Sequence, residues 1–148
     1  MAPVSGSLPE ARTAYLLKQL ELALRARLDA AVRPHGLTVV QYTALTELSR
    51  DPGISAAELA RRSFVSAQTM QELIARLEQQ GLVQRVPAEH NKRVLETTLT
   101  ERGERTLHAS DHEVDEIEQD MLSDFDTEAV EALRQALRSC TKRVRKGA

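Results

Sequence analysis

Ser66, Gln68, Thr69 and Gln71 are neutral hydrogen-bonding residues within six positions of one another, interrupted only by Ala67 and Met70. A carboxamide carries an acceptor and two donors in one plane, so Gln68 and Gln71 can each bond adenine through N6 and N7 together. Thr69 can meet a thymine methyl or a phosphate, and Ser66 can hold a phosphate oxygen with the free backbone N–H groups of a helix start. Arg93, with Lys92 beside it, lies in a polar stretch, where a lone guanidinium suits the negative potential of a narrow, A·T-rich minor groove. Arg61, Arg62, Arg76 and Arg85 are further cations available to phosphates. Glu72 has the opposite tendency: near a phosphate it is repelled, so it either accepts from a cytosine N4 or faces away.

Other chemistries have less behind them. His108 and His112 are four residues apart, the spacing at which two helical imidazoles share a metal, with Asp111, Asp115 and His35 as further donors. Without a neighbouring cysteine or a third histidine on that segment, the two read as solvated side chains, and no metal is assigned. No Ser/His/Asp arrangement or phosphate-cradling glycine loop is visible, and the six glycines are scattered at turns, so a non-enzymatic protein without a cofactor is expected. The single cysteine, Cys140, falls among Leu137, Thr141 and Val144 on an apolar stripe, where a thiol packs as a small hydrophobe.

The elements that must position the polar cluster can be read from apolar periodicity and helix caps. A first helix is expected from about Glu10 to Val32, entered at Ser7 to Pro9, with Leu17, Leu20, Leu24 and Leu28 on one face and Pro34 and Gly36 stopping it. Thr38 caps a second, striped by Val39, Tyr42, Leu45 and Leu48 and closed by the turn Asp51-Pro52-Gly53. Ser55 and Glu58 form a capping box for a short third helix, Ala56 to Arg62. Phe64-Val65-Ser66 breaks the chain, and Ser66 caps a fourth helix from Ala67 to about Gln80, with Met70, Leu73, Ile74 and Leu77 inward and Gly81 after its end. This helix, turn and helix places Gln68 and Gln71 on an outer face beside a helix N-terminus, the geometry with which such a pair enters a major groove.

Leu82–Val86 and Val94–Leu99 read as two strands joined by a polar tip, Pro87 to Arg93. Thr100 caps a fifth helix past Leu107, Val114, Ile117 and Met121. Asp126 or Thr127 starts a sixth, whose stripe of Val130, Leu133, Leu137, Cys140 and Val144 alternates steps of three and four, the seam of a helix that packs on another helix.

At 148 residues the chain is expected to form one compact unit. A formal charge of −2 argues against nucleic-acid binding by bulk electrostatics, and the charges are segregated: residues 106–133 hold ten acids and no Lys or Arg, residues 134–146 six bases and no acid. Residues 55–105 carry eight bases against seven acids, so any phosphate contacts there must be few. No run reaches membrane-span length, and Met1 to Pro9 lacks the basic and apolar regions of a leader, so a cytoplasmic protein with no membrane partner is expected.

The run Leu37-Thr38-Val39-Val40-Gln41-Tyr42, the segment Ser55 to Arg62, the helix end Leu77-Glu78-Gln79-Gln80-Gly81-Leu82-Val83, and Arg93 six residues before Leu99-Thr100-Glu101-Arg102-Gly103 together resemble the MarR family of bacterial regulators. The resemblance spans essentially the whole chain. It implies a mainly α fold with a small β-hairpin wing: a winged helix-turn-helix lobe at 37–103, with a homodimerisation region made by an N-terminal helix at 8–36 and C-terminal helices at 104–148. It also implies a double-stranded, near-palindromic DNA operator, usually repression relieved by a small aromatic or anionic ligand, and a pocket where the dimer helices meet the lobe, near which Arg25, His35 and Tyr42 fall. A winged-helix module that binds only protein is the alternative. Two positions depart from the family pattern: Asn91 stands where an aspartate would orient the wing arginine, and Glu72 where many members have arginine. The hydroperoxide-sensing branch has its cysteine near the start of the first helix, where this chain has none.

Overall fold

A computed structural model describes residues 10–146. Six α-helices and one hairpin follow in the order α1 (Thr13–Val32), a 3₁₀ turn (Arg33–His35), α2 (Val39–Arg50), α3 (Ala56–Arg62), α4 (Ala67–Gln79), β1 (Val83–Pro87), β2 (Leu95–Leu99), α5 (Glu101–Met121) and α6 (Thr127–Lys146). The helix entry expected at Ser7 to Pro9 lies outside the described residues. Arg12 occupies the N-cap of α1, and its side chain makes no capping bond.

All five later helix starts are set by side-chain oxygens. Thr38 Oγ1 accepts from the Gln41 N–H (3.2 Å) while Gln41 Oε1 accepts from the Thr38 N–H (3.0 Å), a complete capping box. The box expected at Ser55 is only half formed. Ser55 Oγ accepts from the Glu58 N–H (3.1 Å), but the Glu58 carboxylate turns forward to Arg61 and Arg62, one helical turn on, where two cations compete with the backbone for it. Ser66 accepts from the Thr69 N–H (3.1 Å), and Asp126 Oδ1 accepts from the Ala129 N–H (2.8 Å) to begin α6.

The core lies between α2, α3, α4 and the start of the hairpin, with Leu45, Leu59, Met70, Ile74, Leu77 and Val83 fully buried. It closes where α4 ends. Gly81 takes the left-handed conformation (φ 74°), and the Leu82 N–H returns to the Leu77 carbonyl (2.9 Å). That bond removes Leu82 from the ladder, so β1 begins at Val83 and not at Leu82 as expected; β1 and β2 pair antiparallel from Val83↔Leu99 to Pro87↔Leu95. Thr100 then joins three elements: its hydroxyl donates to the Gly81 carbonyl (2.6 Å) and accepts from the Gly103 N–H (3.0 Å), while its own N–H donates to the Leu82 carbonyl (3.1 Å). Gly103 packs so closely that a Cβ there would stand 2.0 Å from the Leu82 oxygen.

Farther along α5 the ties are polar. The Tyr42 hydroxyl donates to Asp111 (2.5 Å), His35 Nε2 meets Glu113 (2.9 Å), and Arg27 of α1 meets Asp120 (2.6 Å). The remaining helix is different, because α6 contains no buried residue. Leu133, Leu137 and Val144 of its seam are exposed, as are Tyr15, Leu16, Leu17 and Leu20 on α1. Cys140, expected to pack as a small hydrophobe, is exposed within a single chain, because its stripe has nothing of this chain laid over it.

Two substitutions test these joints. Gly103→Ala drives a methyl group into a backbone carbonyl that cannot rotate away, and is expected to cost about 3 kcal/mol in urea unfolding, the upper end for overpacking a rigid site. Tyr42→Phe is expected to cost about 1.5 kcal/mol at neutral pH, the value of a hydrogen bond to a charged group. Burial, and then donation to the Asp111 carboxylate, raise the ionisation of Tyr42 above the ordinary tyrosine range. Because the folded value is the raised one, this stabilisation is complete below about pH 10 and is lost as pH rises through the folded value. An absorbance titration should show a late-ionising phenol in the wild type that Tyr42→Phe lacks.

Candidate nucleic-acid interface

The α3–α4 pair is a helix-turn-helix whose second helix is strongly two-faced. Met70, Leu73, Ile74 and Leu77 are buried against the core, while Ala67, Gln68, Gln71, Glu72 and Ala75 are exposed on the opposite side. The inward residues recur at three- and four-residue steps, so the outward amides fall on one face near the helix start. Ser66 accepts from the Thr69 N–H and donates to Thr69 Oγ1 (2.9 Å), which fixes both hydroxyls at the N-terminus of α4.

The hairpin projects from the end of α4. At its tip the Ala88 N–H donates to the Val94 carbonyl (2.9 Å) and the Val94 N–H to the Asn91 carbonyl (3.0 Å). Asn91 Oδ1 accepts from the Arg93 backbone N–H (3.1 Å), so this side chain shapes the turn that presents Arg93 and does not hold the guanidinium itself. Lys92 and Arg93 are exposed and have no ion-pair partner among the described residues.

The remaining cations divide by what they already hold. Arg62, grouped from sequence with the phosphate candidates, is bound to Glu58 (3.0 Å), Glu47 (3.3 Å) and Asp51 (3.2 Å) and thereby clamps α3 to the end of α2. Its charge is neutralised inside the lobe, because three carboxylates from the α2–α3 corner converge on one guanidinium. Arg61 pairs with Glu58 but is largely exposed. Arg76 is exposed and unpaired among the described residues, and Arg85, on β1, reaches back to Gln71 Oε1 (3.5 Å).

The three residues placed from sequence near one ligand pocket are not brought together. His35 and Tyr42 are engaged by Glu113 and Asp111 of α5. Arg25, paired with Glu21, lines a separate cavity of about 520 Å³ between α1 and α2. The α3–α4 turn supplies the rest of that wall through Ser63 and Phe64, neither of which stands out in the sequence. Neither has a local signal there, since their position depends on how α1 crosses the lobe. His108 and His112 are exposed, with His112 near Glu116 (3.5 Å), and among the described residues no three His, Cys, Asp or Glu side chains gather as a metal site would need.

Residues 35–94, from the turn before α2 to the tip of the hairpin, match the model of the MarR family. The chain is similar to the HTH-type transcriptional repressor Rv2887 of Mycobacterium tuberculosis, 40% identical over 98 residues that cover 66% of this chain and 70% of the relative. Its fold superposes on the crystal structure of Rv2887 in complex with salicylic acid with a TM-score of 0.71 at 31% identity, over 89% of this chain and 98% of that one. For Rv2887 in complex with DNA the TM-score is 0.70 at 30% identity, over 88% and 98%. With the helix-turn-helix, the hairpin and the flanking helices all matched, the chain belongs to the MarR family of helix-turn-helix transcriptional regulators.

Proposed function

We propose that this protein is a homodimeric repressor that reads a near-palindromic operator with two winged lobes and leaves it when a small aromatic or anionic ligand binds. The observation that carries this reading is the division of α4 into a fully buried apolar face and an exposed face bearing Gln68 and Gln71 beside a capped N-terminus. Gln68 and Gln71 read base edges, Thr69 and Ser66 meet a thymine methyl or the backbone, and Arg93 with Lys92 enters the neighbouring minor groove. Arg61, Arg76 and Arg85 supply the few phosphate contacts, with Arg62 left to its structural pairs. The similarity to Rv2887, whose structures include complexes with DNA and with salicylic acid, supports both halves of the cycle.

Residues 37–103 form the DNA-binding lobe in this reading, and 8–36 with 104–148 the dimer. A second copy covers the leucine-rich faces of α1 and α6, which the chain itself leaves open. The protein acts on chromosomal DNA in the cytoplasm. The near-balanced charge of the lobe favours a second reading, a winged-helix module that binds only protein; operator titration separates the two.

Sedimentation is expected to find a dimer at nanomolar concentration that Leu137→Glu converts to monomer, and footprints should show inverted half-sites roughly 10 bp apart. Against a library of single-base operator changes, Gln68→Ala or Gln71→Ala should relax preference at one base pair per half-site by about 1–3 kcal/mol. Arg93→Ala should instead weaken binding to every variant and lower the salt slope by about one per wing, leaving core base preference intact. An Arg93→Ala dimer that binds like wild type at both low and high salt would remove the wing from the interface.

A further inference from the structure

We propose that Arg85, on β1, is a specificity-determining residue: it holds the carbonyl oxygen of Gln71 and so turns that side chain from an adenine reader into a donor that selects guanine. This inference rests on the DNA-reading role given to α4 above and assigns one of its contacts a base. Arg85 Nη2 donates to Gln71 Oε1 at 3.5 Å, across the step from β1 to α4. The two residues are 14 positions apart, and they meet because the left-handed Gly81 and the bond from Leu82 to Leu77 turn the chain back after α4.

The pairing decides which end of the amide is free. A guanidinium carries N–H donors and no acceptor, so the group of Gln71 that faces it is the oxygen. With Oε1 held, Nε2 is directed away from Arg85, and no acceptor among the described residues meets it. The bidentate grip on adenine needs a donor and an acceptor side by side, and Gln71 then has the donor to offer. Guanine shows two acceptors, O6 and N7, on its major-groove edge, whereas adenine sets the N6 donor beside N7 and cytosine shows the N4 donor. Thymine has one acceptor, O4, next to a methyl group, so the cation beside Gln71 favours guanine over it as well. Gln68, on the same exposed face of α4, is hydrogen-bonded at neither end within the described residues and keeps the adenine grip.

Arg85 is exposed and has no ion-pair partner among the described residues, so its other N–H groups stay available to a phosphate. The planar fork of an arginine meets a phosphate with one edge and a side chain with another, whereas a lysine ammonium is a point charge without that geometry. Arg85 thereby ties a backbone contact, which sets register, to a base contact, which sets sequence. The bond to Gln71 is long in the free protein and strengthens when docking displaces the water around it and lowers the local dielectric.

The test uses the full-length protein and a duplex library randomised across one half-site, from which wild type selects its preferred sequence, followed by titrations at two salt concentrations. At the base pair that Gln71→Ala relaxes, wild type is expected to prefer guanine over adenine about tenfold. Arg85→Lys keeps the charge, so the salt slope should stay that of wild type while the guanine preference there drops to about twofold or passes to adenine. Arg85→Ala should lose the same preference and also lower the salt slope by about one per lobe. Adding Gln71→Ala to either variant should remove no further preference, since both act through one contact. The base pair that Gln68→Ala relaxes should be untouched by both Arg85 variants. Should Arg85→Ala fold poorly, Arg85→Lys and Gln71→Ala carry the test between them. Selection of any base but guanine opposite Gln71, a Gln71→Ala protein that relaxes no base pair, or an Arg85→Lys protein that keeps the full guanine preference overturns this inference and leaves DNA reading by α4 in place. Loss of preference at every position alike in Arg85→Lys overturns it too, because the role would then be structural. If wild type selects no sequence at all, the DNA-reading role of α4 falls and this inference with it.

Discussion

One hydroxyl group fastens the helix-turn-helix and its hairpin to the long helix α5. Thr100 donates to the Gly81 carbonyl just past the end of α4, accepts from the first turn of α5 and, through its backbone, holds Leu82, the residue just before β1. The adjacent Gly103 lets α5 approach the Leu82 backbone more closely than any side chain allows. The end of α4, the hairpin and α5 thus leave one point in fixed directions. A symmetric pair of chains needs this rigidity, because the distance between its two reading helices is set by how each α4 is fastened to its own α5. The polar ties of Tyr42 and His35 to α5 brace the same arrangement from the far side of the lobe.

Much of this was legible in the sequence, for a physical reason. Caps and stripes are local: a hydroxyl before an apolar period, a glycine after it, and a three- or four-residue step are written within a few positions, so α2 to α6 and the two faces of α4 could be read directly. What escaped was decided at long range or by competition. Tyr42 and His35 look like pocket residues until their acids, 69 and 78 positions away, come alongside. Glu58 has the spacing of a capping box, yet two arginines on the next turn offer it better partners. Arg62 resembles its neighbour Arg61 in sequence and differs from it because three carboxylates happen to face it. The left-handed Phe64 gives no signal, since glycine or asparagine would be the residue to look for there.

Ion pairing also sorts the basic residues by role. The lobe has nearly as many acids as bases, so its positive surface depends on which bases are left without a carboxylate. Arg62 consolidates the α2–α3 corner, whereas Arg76, Lys92 and Arg93 keep their charges for whatever approaches. A sum of charges over the lobe misses this, because the neutral total hides a cluster neutralised internally beside cations that are not.

The acid-rich stretch along α5 has a kinetic consequence. A regulator must find its site among a very large number of irrelevant ones, and the time lost on each depends on attraction to phosphates that carries no sequence information. With a net charge of −2, and with the ten carboxylates at 106–133 set against the six bases at 134–146, this chain as a whole has little general attraction to a duplex. Its sojourns on random sequence are therefore brief. A small number of copies can survey a chromosome without being soaked up by it, and occupancy of the operator rests on contacts made after docking, not on long-range pull.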